Sequence, residues 1–288
     1  MNILITGSNG QLGSELKALA SNYSLYHFFF TDKEILDITE KEMVRDFVSV
    51  NKIDVIINCA AYTEIDKAET DEIECDRINH YGVSVLAMVA DEFGASLIHF
   101  STHYVFDGTR TTPYTEDDAT AAESKYAITK LASERVALAK CRRAMVIRTS
   151  WLFSIYGDHN ILKSCYKKLI EKKSIAMCYD RIASPTYAKD LGELVYLILE
   201  QGIEPGIYNY TNEGVCSLFD MAKMLQRFAN LEGEVYPISS TEYATKAYRG
   251  PYGILDKSKI KNTYKISIPY WVDSLEECIN ELIQKDSK

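Results

Sequence analysis

The chain has 288 residues, 47% of them hydrophobic and 25% charged, as expected of a globular protein with one large domain or two modest ones. Its formal charge is −9 and no basic tract appears, which argues against nucleic acid or an anionic membrane surface as a partner, while local donors can still bind a phosphorylated small molecule. The longest apolar runs are strand-length, so no bilayer-spanning segment is expected, and the opening MNILIT lacks the basic start and long apolar stretch of a secretory signal. Seven scattered cysteines, an odd number without a Cys-x-x-Cys, read as reduced thiols of a cytoplasmic protein. The five histidines do not cluster with them, so no zinc site is expected.

Strand-like runs and helical patterns alternate from the start. The spacing predicts strands over 2–6, 25–31, 54–60, 96–101 and 144–150. Helices are predicted over 12–20, 41–50, 73–93 and 124–140. Runs such as VIINCA and AMVIRTS are apolar on both faces, as expected when helices cover both sides of a parallel sheet. The fold class is therefore α/β, a doubly wound parallel sheet of Rossmann type over residues 1–150. From Trp151 the rhythm loosens: helices near 160–172, 188–200, 217–230 and 273–284, strands near 175–179 and 207–210, and a Tyr/Pro/Gly-rich stretch over 236–270. Residues 151–288 read as a smaller substrate-binding lobe, with part of 174–210 returning to the first domain.

The first strand runs straight into ITGSNGQLGSEL. Gly7, Gly10 and Gly13 allow a tight turn and let backbone N–H groups approach a pyrophosphate at a helix N-terminus. Asn9, Gln11 and Leu12 complete this expected cofactor loop with Gly7 and Gly10. Such a triad is weak alone; here it has a strand before it and an amphipathic helix after it. Asp32, closing the second strand, suits a ribose hydroxyl and NAD, whereas Lys33 beside it suits the 2′-phosphate of NADP. The sequence leaves NADH and NADPH both open. Asp37 and Ile38 lie near enough along the chain to line an adenine pocket. Tyr126 and Lys130, four residues apart on a predicted helix, share one face. That spacing alone does not separate a surface pair from a phenol held beside an ammonium.

Six segments, in order, carry a resemblance: NCAAYTEIDKAE (58–69), STHYVFDG (101–108), YAITKLASE (126–134), RTSWLFS (148–154), SPTYAKDL (184–191) and LDKSKI (255–260). Together they resemble the dTDP-4-dehydrorhamnose reductase family of the extended short-chain dehydrogenase/reductase superfamily, over nearly the whole chain. The resemblance implies a catalytic set of Thr102, Tyr126 and Lys130. Tyr126 would give a proton to a ketone oxygen, Lys130 would steady the phenol and hold the nicotinamide ribose, and Thr102 would hydrogen-bond the carbonyl. It places Asn58, Ala60, Ala61 and Tyr62 along the cofactor, and Ile65, His103, Trp151 and Arg249 at the substrate, a nucleotide sugar, with Arg249 near the nucleotide phosphates. The expected reaction is reduction of dTDP-4-dehydro-L-rhamnose with NADPH or NADH, by a monomer or homodimer.

Three departures stand out. His103 follows the catalytic threonine where the family has Asp, and Ala127 follows the tyrosine where it has Gly. Some members form dimers bridged by magnesium; Glu15 fits one ligand position, but Lys189 stands where another acid is expected, so no metal is expected. Two other function classes compete. An epimerase, 4,6-dehydratase or different keto-sugar reductase is one, although Thr102-His103-Tyr104 lacks the Asp-Glu that dehydratases place after this threonine. A non-catalytic nucleotide-binding regulator is the other, and the intact Thr102/Tyr126/Lys130 set argues against it.

Overall fold

The computed structural model describes residues 1–157 and 160–286. Five strands are β1 (Asn2–Thr6), β2 (His27–Thr31), β3 (Val55–Asn58), β4 (Ser96–Thr102) and β5 (Ala144–Thr149). With Gly206–Asn209 they make a six-stranded parallel sheet in the order 206–209, β5, β4, β3, β1, β2. Successive side chains of a strand point to opposite faces. Ile3, Ile5, Ile57, Ile98 and Ile147 enter one core, whereas Leu4, Ile56, Leu97 and Val146 enter another. This is why these strands are apolar throughout rather than alternating.

The first core is closed by helices Gln11–Leu19 and Ala188–Gln201, through Leu16, Leu191, Val195 and Ile198. The second is closed by helices Lys41–Val50, Val83–Phe93 and Lys125–Lys140, through Val44, Val48, Leu86, Val89 and Ala137. From β1 the chain steps one way to β2 and the other way to β3. The connecting loops part at that reversal, leaving a crevice beyond the strand ends. The register places Thr6 beside both Thr31 and Asn58, so the β1 loop and the segment after β3 border the same crevice.

A second lobe has its own core of Phe153, Leu162, Leu169, Leu225, Trp271 and Leu275. There Ile175–Cys178 pairs with Val235–Ile238, and Ile182–Ala183 lies between Cys216–Ser217 and Tyr252–Gly253. Residues 175–178 thus belong to this lobe, and the chain rejoins the large sheet only from Ala188, where the Tyr196 hydroxyl donates to the Leu16 carbonyl at 2.6 Å.

Two of the differences from expectation concern helices. The helix predicted over 73–93 is three pieces: Glu72–Asp76, a π-helical turn Arg77–Gly82, and Val83–Phe93. The wider turn carries Asn79 inward, and Gly82 spares a Cβ that would press on the Ile38 side chain. The stretch 236–270 holds an unforeseen helix, Ser258–Tyr264, whose Ile260 and Tyr264 join the first core. Among the described residues no helix is long and apolar enough to cross a membrane.

Candidate active site

The loop after β1 is shaped by close backbone approach. Gly7 has φ +62°, and a Cβ there would fall on the Ala60 backbone; a Cβ on Gly13 would fall on the Gly7 carbonyl. Gly10 N–H closes the turn on the Gly7 carbonyl at 3.1 Å and begins the helix. The Gln11 Oε1 is buried without a partner beside this loop. Leu12 is buried in the first core. A glycine-lined helix start with an unpartnered side-chain oxygen fits a dinucleotide's pyrophosphate and the hydroxyls near it.

Asp32 accepts the Asn9 N–H at 2.7 Å, which ties the phosphate loop to the end of β2. Lys33 is exposed, its Nζ 3.9 Å from Glu74. Asp37 accepts from the Thr39 N–H and hydroxyl at 2.9 and 2.7 Å, and Arg77 lies 3.7 Å from it. Burial pushes the Asp37 carboxyl up, but these donors and cations outweigh it and hold the pKa below the usual range. Ile38 is buried in the second core. Arg77 was not anticipated: it sits between Glu74 and Asp37 and donates to the Thr39 hydroxyl at 2.5 Å.

After β3, Ala60, Ala61 and Tyr62 are half-buried. Asn79 pins this segment, accepting from the Tyr62 N–H at 2.8 Å and donating to its carbonyl at 3.1 Å. Its amide also reaches the Thr129 hydroxyl on the helix of Tyr126, at 3.3 Å. A polar residue on the inward face of an apolar helix was the available signal.

Tyr126 lies in the first turn of Lys125–Lys140, where the Ser124 hydroxyl caps the helix by accepting the Ala127 N–H at 3.2 Å. Ala127 itself is buried. Thr102 ends β4 near Tyr126, and its hydroxyl accepts the Tyr104 N–H at 3.2 Å. Burial foremost, then Tyr104 and Cys75, raises the Tyr126 pKa, while Thr102 pulls it down. The Lys130 Nζ donates to the Phe100 carbonyl at 2.6 Å. Burial draws the Lys130 pKa down to about 8, against Glu134 and Cys75.

A buried polar chain fixes Lys130. Asn58 Oδ1 accepts from the Ala60 N–H and the Thr6 hydroxyl, at 3.2 and 2.7 Å. The Asn58 amide nitrogen therefore faces His99 Nδ1, at 3.1 Å, and that ring nitrogen must accept. The Ser133 hydroxyl spends its proton on the Lys130 carbonyl at 2.6 Å, so it accepts from His99 Nε2 at 2.8 Å. Both neighbours require the neutral ring with its proton on Nε2. Burial, with the Lys130 charge, holds the His99 pKa well below its usual value. Lys130 stands 3.4 Å from that same Nε2–H and cannot donate to it, so its donors beyond Phe100 stay available to ligands. A histidine inside an otherwise apolar strand was the overlooked signal.

The substrate side gathers Tyr104, Trp151, Arg249 and Asp66. Trp151 and Arg249 lie close enough to the Tyr104 phenol to pull its pKa down, against the burial that raises it. Trp151 has φ +41°, a conformation that bulky residues rarely hold, which aims the indole inward. Arg249 grips Asp66 with two bonds of 2.9 and 3.0 Å, and Asp66 lies next to Ile65 at the start of Ile65–Ala68. His103 is buried, 4.0 Å between ring centroids from Tyr104, and packs on Gly253. Burial pushes its pKa down to about 3, so it is neutral.

The magnesium implied for some family members does not fit. Glu15 is buried, accepts the Ser154 hydroxyl at 2.5 Å, and is pushed up to about 7, chiefly by burial. Lys189 places its ammonium on Glu277 and Glu281, at 2.5 and 2.8 Å, where a cation would sit. Among the described residues no group of three or more His, Cys, Asp or Glu could hold a metal ion.

Residues 1–284 match the family described as the RmlD substrate binding domain. The chain belongs to this family. Among RmlD relatives, a dTDP-4-dehydrorhamnose reductase from Aggregatibacter actinomycetemcomitans is 32% identical over 95% of this chain and 97% of its own. The spore coat polysaccharide biosynthesis protein SpsK of Bacillus subtilis is 31% identical over 97% of both. A crystal structure of dTDP-4-dehydrorhamnose reductase from Bacillus anthracis, in complex with NADP, is 34% identical, has a TM-score of 0.93, and matches 97% of this chain and 99% of its own.

Proposed function

We propose that the protein reduces the C4 ketone of dTDP-4-dehydro-β-L-rhamnose to dTDP-β-L-rhamnose with NADPH or NADH, and that Tyr126 donates the proton. The observation that carries this is the meeting of Thr102 and Tyr126 at the end of β4, one helical turn from Lys130. Burial keeps the proton on Tyr126 in the empty site; a phenol so raised is a weak acid, and positive charge from Lys130 and the oxidised nicotinamide would lower its pKa as the proton passes to the ketone oxygen. Thr102 orients that oxygen, and the free donors of Lys130 suit ribose hydroxyls. The nicotinamide cofactor, when bound, supplies the hydride. Gly7, Gly10 and Gln11 would hold its pyrophosphate region and Asp32 its adenosine ribose. Tyr104, Trp151, Ile65 and the Asp66–Arg249 pair would border the sugar nucleotide. Support for the substrate comes from full-length relatives named dTDP-4-dehydrorhamnose reductase.

The test supplies NADPH or NADH with an enzymatically made dTDP-4-keto-6-deoxyhexose pool containing the L-lyxo epimer, and follows cofactor oxidation and product mass. The wild type should turn over. Tyr126→Phe should lose about 10²-fold or more in kcat while still binding cofactor. A variant keeping half the wild-type rate would remove Tyr126 as the acid. Turnover only on another nucleotide-linked keto sugar would remove the rhamnose precursor and keep the reductase.

A further inference from the structure

An open cavity of about 560 Å³ lies in the second lobe between Arg181 and the segment 240–251. Arg181, Thr241, Thr245, Lys246, Tyr248 and Arg249 are among its walls. The two arginines are in different electrical states. Arg249 is spent: both terminal nitrogens hold Asp66, and the Ala247 N–H reinforces that carboxylate at 3.0 Å. Arg181 is not. Its Nε is buried with no hydrogen-bond partner, and its terminal nitrogen reaches only the Thr245 hydroxyl, at a long 3.5 Å. Among the described residues no carboxylate lies within ion-pair distance of it. The adjacent Asp180 is turned away, accepting from the Ser240 N–H and hydroxyl at 2.8 and 2.9 Å and from the Cys178 thiol at 3.0 Å.

We propose that Arg181, with Lys246 at the rim, is the anion-binding arm that takes the diphosphate of a nucleotide-linked sugar. This rests on the reading of the neighbouring site as one for such a sugar. A half-buried guanidinium without a counterion is costly in the empty protein, and an incoming anion removes that cost. In a chain of net charge −9 such a place is selective for an anion of matching shape. The flat guanidinium fork donates to two phosphate oxygens at once, and the exposed Lys246 adds a point charge for the second phosphate. Position agrees. Arg181 acts electrostatically on the Tyr104 phenol, and Tyr104 in turn on Tyr126. In a hexose nucleotide the diphosphate leaves from C1, across the ring from C4. A ketone at Tyr126 therefore puts the phosphates one sugar ring away, and the cavity that Arg181 lines also holds Arg249, which grips Asp66 beside Ile65. The cofactor's own pyrophosphate belongs to the other lobe, at Gly7–Gly13. Arg249 then serves the sugar side, as a clamp on Asp66 and a neighbour of Tyr104.

Calorimetric titration of wild type, Arg181→Gln and Arg181→Lys with dTDP, dTMP and NADPH tests this. Arg181→Gln should weaken dTDP about tenfold or more, weaken dTMP less, and leave NADPH unchanged. Arg181→Lys, which keeps the charge without the fork, should fall between and guards against a folding defect. Equal dTDP affinity in wild type and Arg181→Gln would overturn the site, as would equal losses for dTDP and NADPH. Arg181-dependent dTDP binding in a protein that oxidises no reduced cofactor with any keto sugar would leave this site standing and remove the reductase.

Discussion

Lys130 is where burial, charge and chemistry meet in one side chain. Its ammonium has one protein acceptor, Phe100, and a neutral His99 that presents N–H rather than a lone pair. Burial lowers its pKa to about 8, so in the free protein the charge fades as pH rises through that value. The protonated form is the one that can offer several donors to ribose hydroxyls. NADPH affinity should therefore be level from about pH 6.5 to 7.5 and decline above pH 8. Tyr126→Phe should show the same decline and Lys130→Met should show none, measured by fluorescence titration across that range. An unchanged profile in Lys130→Met would assign the titration to another group. That Tyr126 and Lys130 share one helix face was legible from their four-residue spacing; what the pair does was not. His99 and Tyr104 leave no periodic mark: one sits in the middle of a short strand between apolar neighbours, the other on a single turn after β4. The direction of the Tyr126 shift also escaped the sequence, because desolvation depends on what packs around the phenol rather than on what lies four residues away.

At the scale of elements, the helix that carries Tyr126 and Lys130 must hold a fixed height on the sheet. A buried ion pair does this. Arg148 of β5 donates to both oxygens of Glu134 at 2.9 and 2.7 Å, and each side chain is only 2% exposed. The Arg148 guanidinium also lies over the Phe106 ring, 5.0 Å from its centroid. Removing one partner leaves an uncompensated buried charge, whereas removing both does not. Arg148→Leu should cost about 3–5 kcal/mol in urea unfolding, and adding Glu134→Leu should recover at least half of it. A double variant no more stable than the single one would show that the pair is not coupled in this way. The sheet strands were legible because both their faces are apolar. The break at Arg77–Gly82 was not, since the apolar pattern runs on through it and the reason for the wide turn is the distant Tyr62 backbone that Asn79 must reach. The helix Ser258–Tyr264 was hidden for a related reason: only Ile260 and Tyr264 are buried in its seven residues, too few to show a period.

The whole molecule depends on how the second lobe is fastened to the large sheet, and one side chain holds much of that junction. Asn212 is fully buried. Its Oδ1 accepts the Tyr187 N–H at 2.7 Å, just before helix Ala188–Gln201. Its amide nitrogen donates to Asp190 of that helix at 2.5 Å and lies 2.9 Å from the Ser274 hydroxyl in Trp271–Asp286. Its backbone carbonyl receives the Lys257 ammonium at 3.2 Å. One residue therefore serves the helix that returns to the Rossmann sheet and the last helix through its side-chain amide, and the segment leading to Ser258–Tyr264 through its backbone carbonyl. Asn212→Ala would strand the Tyr187 N–H and take a donor from Asp190, at about 1–3 kcal/mol for each buried group left unpaired. Loss of about 3 kcal/mol or more at pH 7 is the expected result, large beside a typical total of about 5–15 kcal/mol. The pH dependence has a definite sign. Burial foremost raises the Asp190 pKa, opposed by the Ser274 and Asn212 donors, so its folded value lies above its unfolded one. Stability from its protonation is present at low pH and is lost as pH rises through the folded value. Taking away the Asn212 donor raises that value further, because it is the carboxylate that the donor served. The gap in stability between Asn212→Ala and wild type should therefore be widest at neutral pH and shrink as Asp190 becomes protonated. Thermal unfolding of both proteins from about pH 4, near the ordinary carboxylate value, to pH 8 reads this directly, and a gap that stays constant or grows toward acid would rule out Asn212 as the donor that keeps Asp190 charged.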